Sequence, residues 1–501
     1  MKRLYKGMTA VALACTIMAT SCKKEYLETN PTDLVSADIV FKTTEGAMVA
    51  LNGTIRTMYS SLTNHGNFGQ KAYDLTSDMM GEDVILHAQG YNYYTSEYNY
   101  SGLSNANTNL RADRTWYYYY RIINNTNRII SLLPGATGTQ EDKDLIMGQA
   151  LALRAHSYYY LVNFFSKYGP SNPGVPLYTA PTIEGKGRGT VKEVYDQIYL
   201  DLTESTKLLE GKSRAHLSHV NKATAEGIFA RVALQNGDFP KALEMADKAI
   251  KSSGKQLFTV AQYTAAAFNT LSAAEWIWGG EVNVEQSTAF ASFYSHMDNR
   301  AAVGGYAALG GQKKITKDLY DKIPDGDVRK TLFQGTISAD MPIYAQKKFQ
   351  LRQLGNWASD YVFMRLSEMY LIKAEAEYRL GEDAAAAQTL TDLVKTRYSS
   401  YSTAGLSGVA LLDEILLQRK IELWGEGFSL LDIKRLGNGL NRPTGAGNHG
   451  GAQLNGGTGN NFAPGVTTLP ANSSRYLFAI PQDEINANKQ LSAADQNASS
   501  D

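Results

Sequence analysis

Residues 223–250 read ATAEGIFARVALQNGDFPKALEMADKAI, and residues 364–394 read MRLSEMYLIKAEAEYRLGEDAAAAQTLTDLV. Both stretches carry apolar residues at helical spacing on either side of a glycine–acidic break, Gly237-Asp238 in the first and Gly381-Glu382 in the second. Ala230 stands seven positions before its break glycine, and Ala374 does the same. Ala242 and Ala386 each stand five positions after it, with Ala249 seven further on. Small residues at these places let two antiparallel helices approach closely, and Tyr or Leu fills the gaps beside them. Two such pairs in register, well apart in the chain, predict a scaffold of stacked helix pairs.

The spacing resembles that of tetratricopeptide repeats, which are helix pairs of about 34 residues. Working outward, helical period recurs at Ala47, Leu51, Ile55 and Met58, over Trp116 to Leu133, and strongly over Asp144 to Phe165. Pro170, Pro173, Gly174 and Pro176 end that run. Another helix is expected over about Val191 to Leu209, with Thr190 as its cap and Glu193 three residues on. The helices of Asp144 to Leu209 are read as a third, divergent pair. From Asn64 to Asn107 the period breaks down into a Gly-, Asn-, Ser- and Tyr-rich segment, with at most a turn or two of helix around Asp74 to Met80. Lys255 to Asp360 is mixed, with Trp276, Trp278, Phe293, Tyr294 and Trp357 among Gly, Ser and Asn. Gly437 to Gly465 reads as a mobile surface loop, and Arg475 to Pro481 as a short strand closed by proline. The expected fold class is mostly α: a tetratricopeptide-like helical-repeat scaffold with large irregular loop insertions and a few short strands. Residues 36–501 are expected to form one domain, with loop regions at about 64–110 and 255–360 interleaved with the helices; long loops in compact domains often carry function.

The N-terminus points to export. Lys2, Arg3 and Lys6 precede an uncharged apolar run from Met8 to Ala19, a signal-peptide core of about a dozen residues, too short to span a bilayer. Ala19-Thr20-Ser21 then leads into Cys22, which suits a lipoprotein cleaved after residue 21 and lipidated on the Cys22 thiol, although Ala19 stands where Leu is usual. Residues 22–35, containing Pro31, read as the tether. The chain has 2 cysteines, and Cys15 lies in the segment to be removed, so the mature protein holds no internal disulfide. Acidic and basic side chains balance at 49 each, and removing Lys2, Arg3 and Lys6 leaves 46 basic. That excludes the basic surplus a nucleic-acid binder needs. No later stretch is apolar enough to span a membrane.

Catalytic motifs are missing from the sequence: no Gly-x-Ser-x-Gly elbow, no phosphate loop ending in Gly-Lys-Ser/Thr, no His-Glu-x-x-His. Gly185, Gly187 and Gly189 alternate without the spacing of dinucleotide binding, and His216 with His219 reads as a solvated turn; neither a metal nor a cofactor is expected. Glu82-Asp83, and Asp74 with Asp78 on one helical face, are the carboxylates a glycosidase would draw on, and glycoside hydrolysis stands as the lesser alternative. Sugar binding asks for flat rings to cover the C–H face of a pyranose, with amides, carboxylates or Arg for its hydroxyls. The loops supply both kinds in His65, Asn67, Phe68, Asp78, Tyr91, Tyr93, Tyr94, Tyr294 and Trp357, which are the candidate ligand-binding residues. Tyr117 to Tyr120 and Tyr158 to Tyr160 fall on helices and are read as packing. The 31 tyrosines overall suit wet, polar ligands.

Several motifs together resemble the SusD/RagB family of outer-membrane lipoproteins from end to end. They begin with Cys22, Asn30-Pro31 and Thr44-Glu45-Gly46-Ala47 with Leu51-Asn52. Next come Gln149-Ala150, Leu153-Arg154-Ala155, Tyr158 to Leu161 and Tyr168-Gly169 before Val175-Pro176-Leu177. Arg365-Leu366, Glu368, Tyr370-Leu371 and Ala374-Glu375-Ala376 follow. The most specific piece is Ile415, Arg419-Lys420, Glu422-Leu423, Glu426-Gly427-Phe428 and Asp432 to Arg435, and Leu477, Ile480-Pro481 and Glu484 resemble the closing segment. Ser429 and Leu430 depart from the Arg and aromatic often found there, and the acidic cluster after the lipidated cysteine is thin, with Lys23-Lys24 before Glu25 and Glu28. Arg419, Glu422, Glu426 and Asp432 stand at helical spacing and read as a salt-bridged network that holds the fold. The resemblance implies a non-enzymatic, lipid-anchored protein of the outer membrane facing the cell exterior. It also implies a lid over a SusC-like TonB-dependent transporter that captures an oligosaccharide on its variable loops and delivers it; the alternative cargo is peptide.

Overall fold

The computed structural model describes residues 37–61, 64–103, 105–107, 110–264, 268–454 and 459–497, so the expected signal peptide, Cys22 and the tether lie outside the described residues. The fold is mostly helical, with short strands, and the helices pack in sequence order. Helix α1 (Thr44–Thr57) and the buried α2 (Gln70–Met79) precede α3 (Leu110–Leu132), which packs on α4 (Gln140–Phe165). Helix α4 in turn packs on α5 (Val191–Leu208), forming the divergent pair, and α5 on α6 (Lys222–Gln235). Helix α5 starts at the expected capping box, in which the Thr190 side chain and Glu193 each satisfy the other's backbone N–H.

The two repeats fold as their spacing demands. Helix α6 pairs with α7 (Phe239–Ser253), and α8 (Leu366–Arg379) pairs with α9 (Asp383–Val394). Gly237 and Gly381 take φ of 74° and 83°, a left-handed conformation that stops each first helix without the steric cost a Cβ would bring. Asp238 then accepts the Lys241 N–H and restarts the chain as α7. Ala230, Ala242, Ala249, Ala374 and Ala386 are all fully buried at the helix contacts. Helix α7 also packs on α8, so the two pairs join into one row that α10 (Gly408–Glu422) extends. Under α8 to α10 lies a satellite core of Leu371, Leu390, Leu393, Leu411 and Ile415; burying one such side chain contributes about 1.5–3 kcal/mol.

Short antiparallel pairs tie the irregular regions together. β1 (Val84–Leu86) pairs with a strand at Lys313–Ile315, register Val84 with Ile315 and Leu86 with Lys313, and so joins the 64–110 region to the 255–360 region. A second pair, Trp276–Gly280 with Tyr361–Arg365, runs directly into α8.

Three regions differ from expectation. The 64–110 region contains a helix, α2, whose 10 residues are all buried. Its buried polar side chains hide the period, and several are satisfied internally: Asp74 accepts from Gln70 at 2.9 Å and Tyr160 at 3.1 Å, and pairs with Lys71 at 3.2 Å. The described residues of the Gly437–Gly465 stretch, expected as a mobile loop, are packed against the body. Arg442 is buried and donates to the carbonyls of Gly81, Tyr98, Val466 and Met79, while Asn448, His449 and Asn461 are buried beside it. The closing segment also differs: in place of the short strand expected over Arg475 to Pro481 there is a single turn, Ser474–Tyr476, and then Leu477 to Pro481, outside any strand and held by Phe478 N–H to Phe164 O and Ala479 N–H to Leu103 O.

The four charged residues expected to form one network are all ion-paired, but they divide between two clusters, Glu422 with Glu426 in one and Arg419 with Asp432 in the other. Glu422, at the end of α10, meets Arg365 at 3.0 Å, Arg397 at 3.0 Å and Arg329 at 3.5 Å. Glu275 meets Arg397 at 2.8 Å and Arg365 at 3.3 Å, and Glu426 meets Arg365 at 2.7 Å and Lys348 at 2.5 Å. Arg419 pairs with Asp432 at 2.8 Å. Burial pushes the Glu426 carboxyl up, but Arg365 and Lys348 outweigh it and hold the group at about 2; Arg397, Arg365 and Arg329 hold Glu422 well below its ordinary value against the same burial. Carboxylates depressed in this way stabilise the fold above their unfolded value of about 4.5 and lose that contribution as pH falls toward about 2. Glu422→Ala leaves three guanidiniums short of a counter-charge and is expected to cost about 3–5 kcal/mol of unfolding free energy in a urea titration at neutral pH. In the wild type the urea midpoint is expected to fall between pH 4.5 and 2; a midpoint flat across that range would show that the network does not carry stability.

Candidate ligand-binding site

The loop before α3 decides which tyrosines face outward. Asn92 and Tyr94 take φ of 64° and 63°. Asn tolerates that region, while for Tyr it costs of order 1–3 kcal/mol, which burial and packing must offset. The turn sends the Tyr94 ring into the interior, 4.5 Å from the Arg111 guanidinium, and leaves Tyr91 63% exposed and Tyr93 half-buried.

Two rings from the 255–360 region meet them. Ser292 accepts the Ser295 N–H and starts a short helix, Phe293–Met297, that buries Phe293 and Tyr294 and leaves Phe290 outside, 39% exposed. Gly305 lies where a Cβ would stand 2.8 Å from the Ser295 Cα, so only glycine lets Tyr306 come down onto the same spot. Tyr306 then lies 4.4 Å from Tyr93, 5.4 Å from Tyr91 and 5.3 Å from Phe290, ring centroid to centroid. His65 stacks on Phe290 at 5.7 Å and shares a 2.5 Å hydrogen bond between Nδ1 and the Tyr306 hydroxyl. Beneath them the buried His296 stacks on Tyr306 at 5.1 Å and donates Nε2–H to the His65 carbonyl at 2.8 Å. Burial, helped by the Lys313 charge, keeps His296 neutral, so this support is unchanged across physiological pH.

Beside Tyr91 and Tyr93 opens a groove of about 310 Å³, with Asn92, Ser96, Ser101, Glu97, Arg111 and Arg114 on its walls. Arg111 donates to Glu97 at 2.7 Å and to the Gly66 carbonyl at 2.6 Å, pinning the 64–68 turn to α3. The arrangement joins flat apolar faces to forked donors and amides, with little conformational freedom left to lose on binding.

Of the residues singled out from sequence, the structure brings His65, Tyr91 and Tyr93 together, with Tyr94 forming the inner wall of the groove. Phe68 and Asn67 are buried beneath; Phe68 stacks on His296 at 5.2 Å and Asn67 accepts the Tyr73 hydroxyl at 3.2 Å. Tyr294 is 1% exposed, and its hydroxyl donates to the carbonyls of Phe268 and Asp360 at 2.7 and 2.6 Å, so it presents no face to a ligand. Trp357 is half-buried in the turn before the 361–365 strand and makes no ring contact with the cluster among the described residues. Sequence reasoning missed Phe290, Tyr306, Arg111 and Arg114. The pairing of glycines at 304–305 before an aromatic was the available signal for Tyr306.

Asp78 and Glu82 occupy a different place, a cavity of about 120 Å³ walled by α10 and α11 (Ser429–Leu436). Burial pushes the Asp78 carboxyl up to about 7, and it accepts N–H groups from Gly427 at 2.8 Å and Ser429 at 3.3 Å. Glu82 accepts from Lys420 at 2.8 Å and from the Asn441 N–H at 2.7 Å. Both carboxylates hold α10, α11 and the 440s segment in place, and the cavity is well below the 300 Å³ or so of an ordinary ligand site. Among the described residues no three His, Cys, Asp or Glu side chains form a metal-binding group, and no helix is long and apolar enough to cross a membrane.

Stacked helix pairs bearing an open, aromatic-lined groove on their irregular insertions define a ligand-binding repeat protein. The chain belongs to the SusD family: residues 336–498 match the profile described as SusD family, and residues 26–234 match one described as "Starch-binding associating with outer membrane". A SusD-like carbohydrate binding protein from Bacteroides vulgatus is 30% identical, with 91% of this chain and 98% of that one covered and a TM-score of 0.80. A second B. vulgatus structure, described as a putative sugar binding protein, is 26% identical over 91% of this chain and 98% of that chain at TM-score 0.77. SusD-like protein P2 of Formosa agariphila is 27% identical over 485 residues, 88% of this chain and 92% of its own.

Tyr294→Phe strands two buried carbonyls and is expected to cost about 1–3 kcal/mol in chemical denaturation. Tyr91→Ala, which removes an exposed ring, is expected to stay within about 0.5 kcal/mol of wild type. Equal costs for both would show that the outward and inward tyrosines are not divided as described.

Proposed function

We propose that this protein is a non-enzymatic, outer-membrane glycan-binding lipoprotein, anchored through Cys22, that captures oligosaccharides in the groove between α3 and the His65–Tyr91–Tyr93–Phe290–Tyr306 cluster. It then delivers them to a SusC-like TonB-dependent transporter. The observation that carries the reading is the exposed aromatic cluster set on a rigid base beside forked donors. A pyranose presents an apolar C–H face and a ring of hydroxyls, and this surface offers a partner to each. Membership of the SusD family and the carbohydrate-binding description of its B. vulgatus relative support the ligand class. The basic, apolar and Cys22-ending N-terminus supports the anchor. Asp78 and Glu82, committed to backbone and lysine partners away from the groove, give hydrolysis no support.

The test is calorimetry of the soluble chain starting at Lys23 against a panel of oligosaccharides, with product analysis of the same mixtures. Saturable binding without release of reducing ends is expected, and Tyr91→Ala and Tyr306→Ala are each expected to weaken it by about 1–3 kcal/mol. Unchanged affinity in both variants would move the site elsewhere, and displacement of the saccharide by peptides would reassign the cargo.

A further inference from the structure

The groove has more positive charge than its own carboxylate can answer. Arg111 and Arg114 stand three residues apart on α3 and both line it, with Glu97 as the acidic side chain of its wall. Glu97 is already committed: it lies 2.7 Å from the Arg111 Nε, and both side chains are almost fully buried. Arg114 is half-buried, and among the described residues no carboxylate comes within ion-pair distance of it. Several other enclosed guanidiniums are answered inside the fold, Arg442 by four backbone carbonyls and others by carboxylates. Arg154 meets Asp201 at 2.6 Å, Arg231 meets Glu368 at 2.7 Å and Arg435 meets Glu375 at 2.6 Å. Asp113, next to Arg114 in sequence, is not on the groove wall; it feels the Arg114 charge, but burial and Asp483 outweigh it and push its carboxyl up.

A second cation sits deeper. Lys313 is buried, its Nζ donates to the Gly311 carbonyl at 2.7 Å, and it lies 5.9 Å from the Tyr94 ring, again with no carboxylate at ion-pair distance among the described residues. Burial pushes Lys313 down to about 7, so the positive charge of the groove wall is that of Arg111 and Arg114 against Glu97. Burial, and then the neighbouring Arg111, both work against the charge on Arg114, a cost that a bound anion would relieve.

We propose that the saccharide taken by this groove is acidic, its carboxylate or sulfate accepting a bidentate pair of hydrogen bonds from Arg114 while the Tyr91–Tyr93–Tyr306 rings hold a sugar face. A planar guanidinium matches either oxyanion with two parallel N–H donors, and such charge-assisted bonds are about twice as strong as those to neutral hydroxyls. The partly enclosed position reduces screening by salt. This inference rests on the groove being the saccharide site.

The experiment uses matched pairs: oligogalacturonates with their carboxyl-reduced counterparts, and sulfated galactan oligosaccharides with their desulfated counterparts. Calorimetry of wild type is expected to favour the acidic member of at least one pair by about tenfold or more, and which pair shows the preference distinguishes carboxylate from sulfate. Arg114→Met is expected to abolish that preference, bringing the two members of the pair to the same affinity, while keeping wild-type thermal unfolding; Arg114→Lys, a charge without the fork, is expected to keep only part of it. Equal affinity within both pairs, or a preference that survives Arg114→Met, overturns the proposal and leaves the glycan-binding reading standing. Binding of no member of either pair defeats that reading, and this one with it.

Discussion

The structure depends on the ion cluster centred on Glu422, because it is where the helical row and the irregular region become one body. Glu422 ends α10, Arg397 lies between α9 and α10, and Arg365 leads into α8. Glu275, Arg329 and Lys348 come from the 255–360 region. Arg365, Arg397, Glu275 and Glu422 have no exposed side-chain surface. Charges so placed are tolerable only when geometry and counter-charge are nearly complete, which makes the cluster demanding about position. A cluster that tolerates little displacement holds the loops in one register against the scaffold.

That register makes the binding surface. The groove is walled by the loop after Tyr91 and the start of α3, and the aromatic cluster beside it adds the 64–68 turn and the 290–306 segment. Apart from the start of α3 and the short helices Thr95–Asn99 and Phe293–Met297, these stretches have no periodic structure to fix them. The pairing of Val84–Leu86 with Lys313–Ile315 brings the two irregular regions together, and Arg111 ties the first two stretches through Gly66 and Glu97. His296 then joins the 290–306 segment to the 64–68 turn through its bond to the His65 carbonyl. The rings are therefore held before any ligand arrives, so little ordering entropy remains to oppose binding.

The contrast between the two carboxylate-bearing places in the molecule separates structural from binding chemistry. Asp78, Glu82 and Asp83 crowd a small cavity, but their lone pairs are met by N–H groups and Lys420, and they act as clamps between α2 and α11. The groove reverses the balance: among the described residues Arg114 has no carboxylate at ion-pair distance, and the rings about it lie partly in solvent. A site open to an external ligand is recognised by what the protein leaves unanswered.

Much of this was legible in the sequence, and the limits were physical. The helix pairs could be read because a 3.6-residue period and a glycine break are local properties, and Gly237 and Gly381 do locally what their positions imply. That Arg419, Glu422, Glu426 and Asp432 are structural ion-pair residues was legible from their helical spacing, but that they divide between two clusters, and that Arg365, Arg397 and Arg329 complete one of them, was not. Helix α2 was legible only as a turn or two around Asp74 to Met80, because a helix buried on every side has no exposed polar face to frame it, and the described part of the 437–465 stretch was read as mobile because its order comes from Arg442 reaching carbonyls of the α2–β1 region. The composition of the loops announced a tyrosine-rich surface, but Tyr91 and Tyr94, or Phe290 and Tyr294, are indistinguishable by type. A left-handed turn at Asn92 and Tyr94, and a short helix begun at Ser292, decide which ring faces out. By itself the sequence determined the elements, the repeat and the family, because these rest on spacing along the chain. Only the tertiary structure decided which side chains form the groove, because burial and the pairing of charges are set by neighbours that the chain brings together from far apart.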